Sequence, residues 1–539
     1  MTKKFLKLIV LIFLFSISKS FSDDELFIKD IEINRFNVAD NEKPNISWLG
    51  KIINSLHIKT KEYVIKQELL FTENSQVNLD IVSETERNLR ALGIFNKVHI
   101  TLDSLGFDEY KAVVNTTDAW SSMFLPVLNY GGGFGNYGAD LDEFNFLGTG
   151  TRLKLTGEYR NESQIGWQGS FVLFNPRIPF TDLQDSISFL SNKIRTTQTF
   201  ILQFPFRTTS TDFSAGISYA NTFGKDFYYH STNNYELINL KNQLTTLWYS
   251  HAWWKNDRLY ITGLLGYNQA QRENPSFRQA FDNSGYFLLN FASISQSYDV
   301  VNKINGFVDE DLIYGGYGSA SIGKIFPLNS DGDNLNYISG IAEKSFYNQR
   351  SYLFLRVAGA SGFDSRVSPK YTYQESLITY FHNFTNGFLI TGRFSQQTVW
   401  NWPAWRQLIL DNDSGVRGIE LNSYSGDNRL VFNSEIRYFL ENPEILFFKF
   451  SLIAFFDIGA VWNQNMQLNV TPFRKTTGLG VRFHFIKSQD AAPIFRVDFP
   501  YNPDTNKLGV VFTAKVLFPS FVNHMFSLPQ LFGKVFDYD

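Results

Sequence analysis

Seven histidines, one glycine-rich run and a scatter of strand-borne charges are the residues with chemistry to offer. His57, His99, His230, His251, His382, His484 and His524 show no metal-ligand spacing. No Gly-x-Ser-x-Gly elbow presents a serine nucleophile. Gly131-Gly132-Gly133-Phe134-Gly135 could cradle a phosphate with backbone N–H groups. A phosphate loop also needs a lysine and a following helix, and this run has neither. The chain has no cysteine, which excludes disulfides, thiol catalysis and thiolate metal sites. No catalytic residue, metal site or small-molecule cofactor is therefore expected, and the chain does not read as an enzyme. A net charge of −3 gives no bulk argument for nucleic acid. What remains is electrostatic: Arg152, Glu158, Glu435, Arg482 and Asp498 each sit in a short stretch of alternating polarity.

The elements that carry those charges follow from composition and period. Aromatics make up 17% of 539 residues, yet charged residues reach 19% and mean hydropathy is −0.18. A helical membrane protein would be far more apolar. A transmembrane barrel, with an apolar outside and a polar lumen, gives this average. A large aromatic-rich soluble β protein is the alternative. From about Ala119 onward, apolar and polar residues alternate in short runs, as in strands. Phe432, Ile436 and Tyr438 alternate with Asn433, Glu435 and Arg437. Val481, Phe483 and Phe485 alternate with Arg482 and His484. Within Ile445 to Trp462, Phe448, Phe450, Leu452 and Phe456 share one parity, and Lys449, Ser451, Asp457 and Gly459 the other. Full charges on the polar parity suit a wet lumen behind a lipid-facing wall, and only a closed barrel leaves no unpaired backbone edge in lipid. At roughly 25 residues per strand and connection, residues 119–518 predict an antiparallel barrel of about 16 strands.

The flanks read differently. Residues 1–22 have the form of a secretory signal peptide: Lys3, Lys4 and Lys7, then an apolar Leu8–Ile17, then Ser20-Phe21-Ser22. That apolar core is too short for a membrane anchor, which needs about 20 residues. Residues 23–118 read as a small α/β unit of order β-α-α-β-β. Thr60 is placed to cap a first helix running to about Leu70. Asn78 is placed to cap a second, with Ile81, Thr85, Leu89 and Leu92 at helical spacing and Gly93 at its end. Residues 519–539 form a tail of unknown role.

Several stretches resemble the BamA/TamA superfamily of outer-membrane assembly and translocation barrels. Glu84-Thr85-Glu86-Arg87-Asn88-Leu89-Arg90-Ala91-Leu92-Gly93-Ile94-Phe95 is similar to the helix-to-strand junction of that family's POTRA domains. Asn145-Phe146-Leu147-Gly148-Thr149-Gly150 is similar to its early barrel hairpin. Val416-Arg417-Gly418-Ile419 resembles a motif in a long loop that the family folds into the lumen, ahead of strand 12 of 16. The resemblance implies an ion pair between Arg417 and Asp457, the latter in Phe455-Phe456-Asp457-Ile458-Gly459 on the next strand. Ile419 departs from the family's aromatic at that place. The resemblance also implies a weak seam between first and last strands, here closed by Gly131, Gly132 and Gly133 at one side and running from Gly509 to Phe518 at the other.

The expectation is thus a mainly β chain: a signal peptide, a single POTRA domain over 23–118, and a barrel of about 16 strands over 119–518. The resemblance implies a bacterial outer-membrane protein that inserts or translocates protein substrates, its POTRA domain in the periplasm receiving unfolded substrate or assembly partners. Outer-membrane lipid is the other expected partner. The alternatives are a structural or adhesive surface-antigen barrel without insertase activity, and a passive channel.

Overall fold

The computed structural model describes residues 26–38, 54–55, 57–161, 165–208, 211–231, 234–253, 258–301, 303–304, 306–307, 310–385, 387–405, 408–445, 448–485, 494–513, 517–521, 528–529 and 531–532. The expected signal peptide lies outside them. The chain divides into two compact units.

In the N-terminal unit, four strands form one sheet: β1 (Leu26–Phe36), β2 (Ser75–Val77), β3 (Phe95–Gly106) and β4 (Glu109–Asp118). Their order is β2-β1-β4-β3, with β1 and β4 parallel. Two helices, α1 (Glu62–Lys66) and α2 (Leu79–Ala91), precede β2 and β3. Ile28, Val64, Ile65, Leu89, Ala112 and Val114 are buried apolar residues of these helices and strands. The β-α-α-β-β reading holds except that a short β2 stands between the helices. Asn78 caps α2, its Oδ1 accepting the Ile81 N–H at 2.9 Å, and Gly93 ends it with φ +69°. Asn78→Ala should cost about 1 kcal/mol, read as faster amide exchange in the first turn of α2. The expectation for α1 fails. Its N-cap is Lys61, with no side-chain cap, and it stops at Lys66. Thr60 is instead buried, its N–H held by Asp118 Oδ2 at 2.7 Å.

In the second unit, Ser122–Gly131 opens a run of antiparallel strands that closes on itself. Among the described residues, nineteen unbroken strands precede a last one split into Lys507–Leu508 and Val511–Thr513, so the barrel has 20 strands, 19 + 1. The expected count of about 16 was too low because the early strands are short and tightly joined. The first six are 9 to 13 residues long. Gly131 to Phe134 and Asn192 to Arg195 each leave two residues for the turn. Gly132 and Gly133 have φ +59° and +85°, the backbone of a type I′ hairpin turn.

Alternation sorts the two faces. Leu247, Tyr249, Phe287, Phe291, Ile338, Phe432, Ile436 and Phe456 are exposed on the outside, while Trp248, Leu288, Tyr337, Glu435 and Asp457 are buried within. A closed wall of paired strands with an aliphatic and aromatic exterior is what a lipid phase demands. The interior is less uniform than a wet lumen. It is charged beside the strands that follow residue 428. Across the middle strands it is apolar, with Tyr260, Tyr286, Tyr337, Tyr352, Phe354 and Phe381 in two buried clusters.

Among the described residues, first and last strands meet through one register pair, Tyr130 with Phe512. The adjoining last-but-one pair of strands, Arg474–Phe485 with Ile494–Asn502, shares eight. The expectation that the last strand continues to Phe518 is corrected. The described strand ends at Thr513, and Phe518 turns inward, 3% exposed, with its ring 6.4 Å from that of Phe381.

Candidate functional site: an ionic latch inside the barrel

The connection between Phe388–Trp400 and Asn428–Ile445 is the loop that carries Val416 to Ile419. A two-stranded piece, Leu408–Leu410 with Tyr424–Gly426, brings its two arms together. Between them Asp411 nucleates a tight turn. Its Oδ1 accepts the Ser414 N–H at 2.9 Å, its Oδ2 accepts the Asn422 N–H at 2.9 Å, and its carbonyl accepts the Val416 N–H at 3.1 Å. Aspartate and serine favour such local side-chain-to-backbone bonds. Val416 and Ile419 then bury with Leu410 and Val431 in a small apolar cluster. That packing accounts for Ile419 where an aromatic was expected: the position is a core contact here.

Arg417 lies between these two anchors, with its side chain 3% exposed. Its Nε donates to Asp457 Oδ2 at 2.7 Å and its Nη2 to Asp457 Oδ1 at 2.8 Å. This is the planar two-bond fork that guanidinium and carboxylate make together. The third arm, Nη1, donates to Glu435 Oε1 at 2.7 Å and to Asp498 Oδ2 at 3.3 Å. The guanidinium carbon stands 3.6 Å from the centre of the Phe455 ring, within cation–π reach. Asn433 completes the shell, donating to Asp457 Oδ1 at 2.8 Å and to the Gly415 carbonyl at 2.5 Å.

The charges extend beyond the pair. Arg482 bonds both Asp498 and Glu435, Arg496 reaches Asp498 at 3.1 Å, and Arg437 reaches Glu435 at 2.9 Å. Four guanidinium groups, at 417, 437, 482 and 496, thus face three carboxylates, at 435, 457 and 498. Removing one member of such a buried set strands its partner without water, and the cost of that exceeds the net worth of the contact.

Glycines let the loop approach the wall. A Cβ on Gly459 would stand 2.6 Å from Leu410 Cδ1 and 2.9 Å from Val416 Cγ2. Gly418, at φ +80°, faces Pro500 on the last-but-one strand, 2.6 Å from where its Cβ would lie. On the other side of the seam, a Cβ on Gly132 would meet the backbone of Ile419 and Leu421 at 2.7 and 2.8 Å. The Leu421 N–H donates to the Gly132 carbonyl at 3.2 Å. A Cβ on Gly131 would strike Asn412. One loop therefore touches the first hairpin, the Asp457 strand and the last-but-one strand.

No protein-family model and no curated protein match the chain. Solved structures do. The chain is similar to BamA and to CdiB. BamA of Haemophilus ducreyi lacking POTRA domains 1–3 matches at 11% identity and TM-score 0.39, over 89% of this chain and 84% of that one. CdiB of Acinetobacter baumannii matches at 14% and 0.42, over 89% and 72%. CdiB of Escherichia coli matches at 12% and 0.43, over 90% and 75%. The reading of the site rests on its own geometry.

Of the residues singled out in the sequence, Val416, Arg417, Gly418, Ile419, Asp457 and Gly459 come together, and Gly131 and Gly132 join them through the loop. Gly133 stands clear, with nothing within 4 Å of its Cβ position, and Gly509 faces Pro500. Phe518 lies at the margin of the site, its ring 5.2 Å from the Arg437 guanidinium carbon. The loop precedes the sixteenth strand, not the twelfth. Counted back from the last strand its place is as expected, since 20 − 16 equals 16 − 12. Asn433, Phe455, Arg437 and Arg496 were missed as partners. Parity held the signal: 433, 435 and 437 share the buried face of one strand, and 496 and 498 that of another.

Proposed function

We propose that this chain is an outer-membrane protein that inserts or translocates polypeptides, with 23–118 acting as a POTRA domain in the periplasm and the barrel as the insertase or translocator. The observation that carries this reading is the Arg417 latch beside the seam. A loop is locked inside the barrel by buried charge, and it reaches both sides of the junction between the first and last strands. A passive diffusion channel has no use for an interior loop fixed in this way. The wall's apolar exterior supplies the lipid contact.

Substrate capture by strand addition would use the outer side of β3, an edge strand of the small sheet among the described residues. Glu86 already caps one group there, accepting the Ile100 N–H at 2.7 Å. The reading involves no nucleotide, metal or nucleic acid.

A structural or adhesive role is the second reading, and the filled apolar interior favours it. Depletion separates the two. The insertase or translocator reading expects selective loss of outer-membrane or surface-exported proteins. An unchanged outer-membrane proteome and unchanged surface exports would leave the structural role.

A further inference from the structure

The chain continues past its last strand into the barrel interior. Define the near end as that where the first strand starts, at Ser122, and the far end as that of its turn at Gly132. Phe518, Phe521 and Leu531 are 3%, 2% and 6% exposed, buried among lumen-facing residues of the middle strands. Near Ser351, at the near end, the Phe521 N–H donates to Tyr352 Oη at 2.8 Å and its ring packs edge-on against Phe354 at 6.2 Å. The Phe532 N–H donates to Tyr337 Oη at 2.9 Å, and its ring stacks on Tyr373 at 6.0 Å. Tyr337 pairs with Gly362, ten residues along the strand from Tyr352 (362 − 352), about 33 Å at a strand's rise of ~3.3 Å per residue. The two attachment points therefore lie at opposite ends of the lumen.

Both attachments have the same chemistry. A tyrosine hydroxyl accepts a backbone N–H, and an aromatic ring beside it takes a side-chain ring. Backbone bonds of this kind do not depend on which residue supplies them, so the track selects an extended chain carrying spaced aromatics, not one sequence. The tail also reaches the latch. Arg437, which bonds Glu435, stands over the Phe518 ring at 5.2 Å.

We propose that the aromatic trough lined by Tyr337, Tyr352, Phe354 and Tyr373 is a binding track for an extended polypeptide bearing aromatic side chains. The chain's own Phe518, Phe521, Leu531 and Phe532 are its exchangeable occupants. This deepens the insertase or translocator reading, because a client chain passing through the barrel would take the same track. It is tested without any translocation assay, so the two can fail separately.

The experiment uses purified barrel protein in detergent, full-length and truncated after Phe518. The probe is a dye-labelled synthetic peptide with the sequence of residues 519–532. The peptide is expected to bind the truncated protein saturably and the full-length protein at least tenfold more weakly. Exchanging its two phenylalanines that correspond to Phe521 and Phe532 for serine should abolish binding, and Tyr337→Phe with Tyr352→Phe in the truncated barrel should weaken it several-fold. Equal binding to both proteins, or binding to neither, overturns the proposal. A second measurement covers a truncation that fails to fold. The chain has no cysteine, so Leu531→Cys in the full-length protein introduces a single thiol. A membrane-impermeant maleimide should label it far more slowly than Ser330→Cys in an exposed turn, and excess unlabelled peptide should speed its labelling. Labelling at the rate of the Ser330→Cys control, or a rate the peptide leaves unchanged, overturns the proposal.

Discussion

Arg417→Ala is expected to cost about 3–5 kcal/mol, the range for removing one partner of a buried pair. Asp457 would lose both bonds of its fork, and Glu435 and Asp498 would each lose one. The wild-type barrel should run as a compact, heat-modifiable band on cold gels, and the variant should lose that form at a lower temperature. Limited proteolysis should then cut within 401–427, where the loop is no longer held. Arg417→Lys should rescue little, since an ammonium cannot make the fork and the third contact from one plane. Asp457→Ala should be about as harmful, because it leaves four guanidinium groups against two carboxylates. If Arg417→Ala and Asp457→Ala both matched wild type in heat-modifiability and loop cleavage, the latch would be dispensable.

Gly132→Val should disrupt the same region from the other side of the seam. A β-branched residue at φ +59° costs about 1–3 kcal/mol from backbone conformation alone. The added Cβ would also stand 2.7 Å from the Ile419 carbonyl oxygen. That neighbour is backbone and cannot swing aside. Gly133→Val provides the comparison, with φ +85° but open space around its Cβ position. The excess damage in Gly132→Val over Gly133→Val, read as loop proteolysis and melting of the folded band, measures the contact between first hairpin and loop. Equal damage in the two would mean that the hairpin does not bear on the loop.

The parts of this architecture legible in the sequence are those set by local chemistry. Period-two alternation placed Asp457 inside and Phe456 outside, because successive side chains of a strand face opposite ways. Asn78 and Gly93 mark a helix by bonds made within a few residues. The partners of Arg417 other than Asp457 were harder to read. Glu435, Phe455 and Asp498 come from three different strands, and only the pairing register of four consecutive strands brings them to one point. The strand count failed because turn length, not residue total, sets it. The apolar half of the interior was hidden for a simpler reason. Where Leu247, Trp248 and Tyr249 follow one another, both faces are apolar, and alternation carries no information about which is inside. The tail offered no period at all, only phenylalanines whose partners lie over 150 residues away.

The loop's reach across the seam bears on the order in which the barrel can form. Joining Tyr130 to Phe512 closes a segment of 382 residues (512 − 130), and joining Gly132 to Leu421 closes one of 289 (421 − 132). Closure entropy grows only as the logarithm of length, so these two events differ by about 0.3 kcal/mol. The loop also comes to its contact already held, since the seven charges that fix it, four plus three, all lie on the loop and on the strands after residue 428. Both contacts are extremely non-local, which makes them slow steps of folding. Seating of the loop against the first hairpin is then the event that can hold the two ends of the sheet in register, and the zipping of the final strand follows it.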